Sequence, residues 1–220
     1  MKSIPDQASV FDRVAPGWYG FRHHTIFKEE LTALATRWKE GRLLNMGCGH
    51  GADFVPFKDS FELWGIDFSS AMLALAAKFS AKNRYKAGLI QADMRLLPFA
   101  DEYFDYAVAV ASIHHLPGTE EQLKALVELK RVLKPGSEVF ITVWNRTQTR
   151  FWGKPKELLV PWRDSSGVTE RYYYLFTYGE IKKLVKRAGF KVLRVFPEHS
   201  YHWPLKLFSR NICVLAQKLP

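Results

Sequence analysis

The sequence predicts an α/β fold: a mostly parallel sheet with helices on both faces. Three observations carry this. Apolar runs of strand length recur, as at Leu43-Leu44, Leu63–Ile66 and Tyr106–Ala111, and runs without polar alternation belong to strands covered on both faces. Stretches of helical period lie between them, such as the Ala/Leu-rich segment after Ser69-Ser70. The first run feeds Gly47-Cys48-Gly49-His50-Gly51, with glycine at every second position. Glycine lets a chain turn sharply and lets a ligand approach the backbone. Such a turn offers free N–H groups at the carboxyl edge of the sheet, where open α/β folds bind nucleotide-like ligands.

The totals bound the answer. A chain of 220 residues, 47% apolar, predicts one domain over 1–220. There is no apolar run of about eighteen residues to cross a membrane, and Met1–Asp6 lacks the apolar core of a signal peptide. Two cysteines, Cys48 and Cys213, make no disulfide framework, which fits a reducing, cytoplasmic setting. The net charge of +10, with a pI near 9.6, points to a polyanionic partner. Seven tryptophans and nine tyrosines favour RNA, whose splayed bases stack on exposed rings.

In order, residues 1–40 read as an N-terminal cover. Aromatics around Pro16-Gly17 are followed by an amphipathic helix from Thr25 to Lys39 with Ile26, Leu31, Leu34 and Trp38 as its stripe. After the glycine loop there is room for a short helix only. Ser69 supplies an N-cap oxygen for a helix to Lys82. Strands then follow near Leu89–Asp93 and Tyr106–Ala111. Thr119-x-x-Gln122 suggests a capping box for a helix stopped by Lys134-Pro135-Gly136, ahead of a strand from Glu138 to Trp144. From 146 to 177, basic residues (Arg146, Arg150, Lys154, Lys156, Arg163, Arg171) alternate with aromatic ones without strand or helix period, reading as a substrate-facing insertion. Thr177-x-x-Glu180 caps a last helix stopped at Gly189, and Lys191–Phe196 and Asn211–Gln217 read as two antiparallel strands.

Three strand ends carry the chemistry. The loop spacing is G-x-G-x-G rather than the dinucleotide G-x-G-x-x-G, and Asp67 follows Gly51 by sixteen residues. An acid there can accept both hydroxyls of a ribose, and Asp93 closes the third strand. His114-His115 stands at the same edge, but no Cys or acid spacing supports a metal site, and none is expected.

With these residues the sequence resembles the class I S-adenosylmethionine-dependent methyltransferases. Asn45–Gly51 is similar to their D-x-G-C-G-x-G loop, with Asn45 in place of the acid. Gly65-Ile66-Asp67-Phe68-Ser69 resembles their ribose motif, Ala92-Asp93-Met94 their adenine segment, and Leu133–Gly136 their L-K-P-G turn. The resemblance implies a Rossmann-like sheet of seven strands, mostly parallel, with a C-terminal antiparallel strand. It also implies S-adenosylmethionine as cofactor and S-adenosylhomocysteine as product. The residues implied to hold it are Asn45, Gly47, Gly49, Gly51, Asp67, Phe68, Asp93, Met94 and Ala111.

A narrower likeness lies in the C-terminal third. Arg171-Tyr172-Tyr173-Tyr174-Leu175-Phe176 with Gly179-Glu180-Ile181, Ile113-His114-His115, Val143-Trp144-Asn145 and Arg210–Val214 are similar to segments of the tRNA wobble-uridine methyltransferases. Tyr174 and Ile212 depart from that pattern. Those enzymes convert 5-carboxymethyluridine to its methyl ester. The likeness implies tRNA as partner and RNA binding, and admits a small zinc-binding activator subunit. Arg22, His115 and Arg171 are the candidates for holding a carboxylate, with Tyr172 and Trp144 shaping the base pocket. Two alternatives stay open: a small-molecule methyltransferase acting on a quinone precursor or metabolite, and a non-catalytic S-adenosylmethionine- or RNA-binding protein.

Overall fold

The computed structural model describes residues 4–21, 23–165 and 167–220. Its strands are β1 (Gly41–Met46), β2 (Phe61–Asp67), β3 (Ala87–Gln91), β4 (Phe104–Val110), β5 (Leu133–Trp144), β6 (Glu157–Asp164), β7 (Gly167–Tyr174), β8 (Phe190–Pro197) and β9 (Asn211–Lys218). The helices are α1 (Gln7–Phe21), α2 (Lys28–Trp38), α3 (Ser70–Lys82), α4 (Gly118–Val132) and α5 (Tyr178–Arg187). Seven strands form one sheet in the order β3-β2-β1-β4-β5-β9-β8. Pairings among the first five are parallel. Strand β9 is antiparallel to both β5 and β8, so it alone is reversed.

Side-chain alternation along each strand sets the layers. Leu43, Leu63, Val108 and Phe140 pack under α2 and α3 with Leu31, Trp38 and Phe79. Leu44, Ile66, Ala109 and Ile141 pack on the other face with Leu126 and Leu129 of α4 and Ile181 and Leu184 of α5. Both faces are therefore covered, as apolar strands require. The fourth layer is local: Val14 and Ala15 of α1 pack on Met72 of α3.

Several boundaries differ from the sequence reading. Helix α2 starts at Lys28, and Ile26 is 45% exposed rather than part of the stripe. No side-chain cap forms at α4; its N-cap is Pro117, and Gln122 Nε2 instead donates to the Leu116 carbonyl at 2.9 Å. Lys134-Pro135-Gly136 lies within β5, which pairs with β4 from Phe104↔Leu133 across an irregularity. Within residues 146–177 the expected irregular insertion is in large part a hairpin: β6 and β7 pair with each other from Glu157↔Tyr174 to Asp164↔Gly167, and 146–156 is irregular. This hairpin is outside the main sheet. At its far end Trp162 packs against α1, but polar and apolar residues do not alternate cleanly along either strand, so nothing marked the hairpin in the sequence.

One polar contact fastens α2 to the sheet. The buried Glu138 of β5 accepts hydrogen bonds from Trp38 Nε1 at 2.8 Å and from Arg37 Nε at 2.9 Å. Burial pushes its carboxyl up, but the Arg37 and Trp38 donors outweigh that and hold it below the usual range. Glu138→Ala leaves the Trp38 N–H unsatisfied and should cost about 1–3 kcal/mol, lowering the urea midpoint at unchanged slope. Because the folded carboxyl titrates low, this contribution should be complete above about pH 5 and fade as pH falls through the lowered value. Urea titrations of both proteins at pH 7 and pH 3 measure it.

Candidate active site

The glycine loop is built against the ends of β1 and β2. Gly47, Gly49 and Gly51 have φ of 78°, 52° and 85°, in the left-handed region. A Cβ at Gly47 would lie 2.4 Å from Ser112 Cβ, so no other residue fits there, whereas the space beside Gly49 is open. Asp67 fixes the loop's position. Its Oδ2 accepts from Gly49 N at 2.8 Å and its Oδ1 from Ser69 N at 2.9 Å. Burial pushes its carboxyl up to about 6, against the pull of the Ser69 and Gly49 amides. Ser69 caps α3 by accepting from Met72 N at 3.1 Å. Its hydroxyl donates to Asp12 Oδ1 at 2.6 Å, which anchors α1 over the loop.

A cavity of about 320 Å³ opens beside this loop. One end is lined by Gly47, Gly49, Asp67, Phe68, Met94 and Ala111; the other by His114, His115, Trp144, Arg171, Tyr173 and Asn211. Trp18 and Phe11 of α1 and Trp162 of the hairpin close it from above. Phe11 touches both ends, its ring 5.5 Å from Phe68 and 4.7 Å from His115.

Four sequence candidates lie off the cavity wall. Asn45 is fully buried in β1, both amide atoms without a partner among the described residues. Gly51 precedes the 3-10 turn Ala52–Phe57, its carbonyl accepting from Tyr85 OH at 2.9 Å. Asp93 is turned to the surface, where Arg95 Nε donates to it at 3.0 Å; its neighbour Met94 is the residue at the wall. Tyr172 does not shape the pocket. Its ring is core, and its hydroxyl donates to Glu157 Oε2 at 2.9 Å. The reason is strand alternation: Arg171 and Tyr173 of β7 reach the cavity, so Tyr172 faces away. Counting by two from Arg171 would have found Tyr173. Arg22 lies outside the described residues.

The two histidines are neutral and differently bonded. His115 Nδ1 donates to the Tyr172 carbonyl at 2.9 Å, and burial pushes the ring down to about 3. Trp144 N donates to His114 Nδ1 at 3.3 Å, which leaves the proton on His114 Nε2. That N–H has no partner among the described residues. Burial, with His115 and Arg171 nearby, holds His114 well below the ordinary histidine range. Neither ring can be the cation that pairs a carboxylate at neutral pH. Arg171 can. It is only 6% exposed, and its guanidinium sits 5.2 Å from the Trp162 ring, 5.3 Å from Tyr173 and 5.8 Å from Trp18. Its Nε has no hydrogen-bond partner among the described residues. No group of three His, Cys, Asp or Glu among those residues is placed to hold a metal.

Comparison with known proteins places this geometry. The model of the methyltransferase domain matches residues 44–141. A protein of Encephalitozoon cuniculi (strain GB-M1) named as a methyltransferase is 32% identical over 180 residues, 78% of this chain and 80% of its own length. The chain belongs to the S-adenosylmethionine-dependent methyltransferases. The tRNA (carboxymethyluridine(34)-5-O)-methyltransferase of Arabidopsis thaliana is 32% identical over 63% of this chain. The chain spans 32% of that protein's length, and 36% of the human relative that carries the name probable tRNA methyltransferase 9B. The 2-phytyl-1,4-naphtoquinone methyltransferase of Nostoc punctiforme is 27% identical over 86% of this chain and 91% of its own length. In fold, the chain is similar to the CcbJ methyltransferase of Streptomyces caelestis, with a TM-score of 0.81 at 13% identity over 98% of this chain and 100% of that one.

The cofactor of this methyltransferase is S-adenosylmethionine, and the loop end of the cavity fits it. There is open space beside Gly49, and a buried carboxylate lines the same wall. An ionised Asp67 accepts hydroxyl protons and a protonated one cannot take two, so S-adenosylhomocysteine affinity should weaken as pH falls through about 6, by up to about tenfold per unit. Calorimetry between pH 5 and 8 should show this in the wild type and a flat profile in Asp67→Asn. Equal profiles would remove Asp67 from the site.

Proposed function

We propose that this methyltransferase esterifies a carboxylate on tRNA, namely the 5-carboxymethyl group of a wobble uridine. The observation that carries the reading is Arg171, a buried guanidinium at the cavity wall, ringed by Trp18, Trp162 and Tyr173, with its Nε lacking a partner among the described residues. A buried cation is costly unless an anion completes it. The tRNA methyltransferases among its relatives and the net charge of +10 support the same substrate.

The open glycine loop at Gly47 and Gly49, with Asp67, Phe68, Met94 and Ala111, would hold the cofactor. Asn45 lies beneath the loop rather than at the wall. S-adenosylmethionine, when bound, supplies an activated methyl group. Arg171 orients the substrate carboxylate, with the Nε2–H of His114 as a second donor. A carboxylate is ionised at neutral pH, so no base is needed: one O–C bond forms as the methyl leaves sulfur. What remains is positioning for in-line displacement, which proximity alone accelerates strongly. Trp144 and Tyr173, stacked at 4.1 Å, form a wall for the base. His115 stays neutral and packs against Phe11.

The quinone methyltransferases among the relatives keep a second reading alive, since they match over nearly their whole length. A neutral quinone ring, however, leaves Arg171 without an anion. The test is to incubate the protein with hypomodified tRNA and cofactor, digest to nucleosides and weigh them. The expected product is 5-carboxymethyluridine heavier by one methyl and reverted by mild alkali. Arg171→Gln should lower kcat/KM by roughly 10- to 100-fold, the worth of one charged hydrogen bond. Methylation of a ring carbon, a ribose or a quinone precursor instead would overturn the proposal and leave the family assignment standing.

A further inference from the structure

Strands β5 and β9 pair Trp144 with Asn211, and both residues line the cavity. Beyond that pair each strand runs on into an irregular segment, 145–156 after β5 and 199–210 before β9. The two segments are bound together. Asn145 Nδ2 donates to the Leu207 carbonyl at 2.7 Å and the Ser209 carbonyl at 2.9 Å, and Gln148 Nε2 donates to the Arg210 carbonyl at 2.9 Å. They hold six Lys and Arg residues (Arg146, Arg150, Lys154, Lys156, Lys206, Arg210) and no Asp or Glu. Of these six, only Lys156 has an ion pair among the described residues, with Glu180 of α5 at 2.8 Å, while His199 at the start of the second segment pairs with Glu29 of α2.

Large aromatic rings stand out of this charged face. Trp152 is 64% exposed and Trp203 is 74% exposed. Trp152 is nevertheless held in place: its Nε1 donates to the Thr147 carbonyl at 3.1 Å, and its ring lies 6.1 Å from Phe208. Its one polar atom is thereby spent on the backbone, leaving a fixed apolar surface. Arg150 bridges to the cavity, its guanidinium 4.7 Å from the ring centre of Trp144. Partial burial lowers the pKa of Arg150, and nearby Arg210 adds a little in the same direction.

We infer that segments 145–156 and 199–210 form one platform that binds single-stranded RNA, its cations tracking phosphates while Trp152 and Trp203 stack on bases. The inference rests on the tRNA reading above and adds to it where the acceptor strand lies: it leaves the cavity past Trp144 and Asn211. Apolar rings interleaved with unneutralised cations match a chain that alternates anionic linkages with flat bases. A base flipped into the cavity needs its neighbours held beside the mouth.

The test is tRNA affinity by fluorescence anisotropy across a salt series, with S-adenosylhomocysteine calorimetry reporting the fold of each variant. Trp152→Ala with Trp203→Ala should weaken tRNA binding roughly 5- to 150-fold per stacked base lost, at unchanged salt slope. Arg150→Gln with Arg210→Gln should flatten the log–log salt slope by about 0.7 for each lost contact. This second pair keeps the question open to refutation should the tryptophan variant fail to fold. A wild type that binds tRNA with both variants unchanged overturns the platform alone and leaves the proposed substrate intact. A wild type that binds no tRNA overturns both. Phosphatidylglycerol vesicles that bind the wild type and release the tryptophan variant, with tRNA affinity unmoved, would assign the face to a lipid surface and overturn the inference.

Discussion

The site depends on one buried carboxylate. Asp67, at the end of β2, receives the amide of Gly49 on one oxygen and the amide of Ser69 on the other. The first bond sets the glycine loop and the second sets where α3 begins. Through Ser69 the same contact reaches Asp12, and so positions the helix that roofs the cavity. Burial makes this carboxylate costly to ionise, which is why its pKa stands near 6. Those bonds sustain the charge, and a ribose would add to them. Order in the loop and the placing of the helix over the cavity are thus two outcomes of one electrostatic arrangement.

The acceptor end is built from different parts. Arg171 and Tyr173 come from a hairpin that pairs with nothing in the main sheet, and Trp18 comes from the N-terminal helix. The Trp18 and Trp162 rings meet at 5.5 Å and close the roof over Arg171. A guanidinium between aromatic faces gains cation–π attraction while keeping its in-plane donors for a planar anion. These residues lie outside the matched stretch 44–141, which contains the glycine loop, Asp67 and Met94. His114 and His115 lie within the matched stretch and stay neutral, because burial makes their charged forms too costly.

Much of this was legible in the sequence because apolar strands and glycine turns have local signatures. The seven strands, the Ser69 cap and the Thr177–Glu180 capping box all follow from patterns a few residues long. Other features depend on distant partners and left no such mark. The hairpin looked like a charged loop because polar and apolar residues do not alternate along its strands. Asp93 was read as a site residue from its place at a strand end, yet Arg95, two residues on, draws it to the surface. Tyr172 was misplaced for a simpler reason: in a strand, a neighbour of a cavity residue faces the other way. Nothing local marks Glu138 as buried, because its donor Trp38 lies a hundred residues earlier.

The central claim is that Arg171 selects for an anion on the acceptor base. The most direct measurement is the affinity of the protein, loaded with S-adenosylhomocysteine, for two anticodon-loop RNAs that differ only by a carboxymethyl group on C5 of the wobble uridine. One charged, desolvated hydrogen-bonded pair predicts tighter binding of the carboxymethylated RNA by about tenfold or more. Equal affinity for the two RNAs would contradict the account.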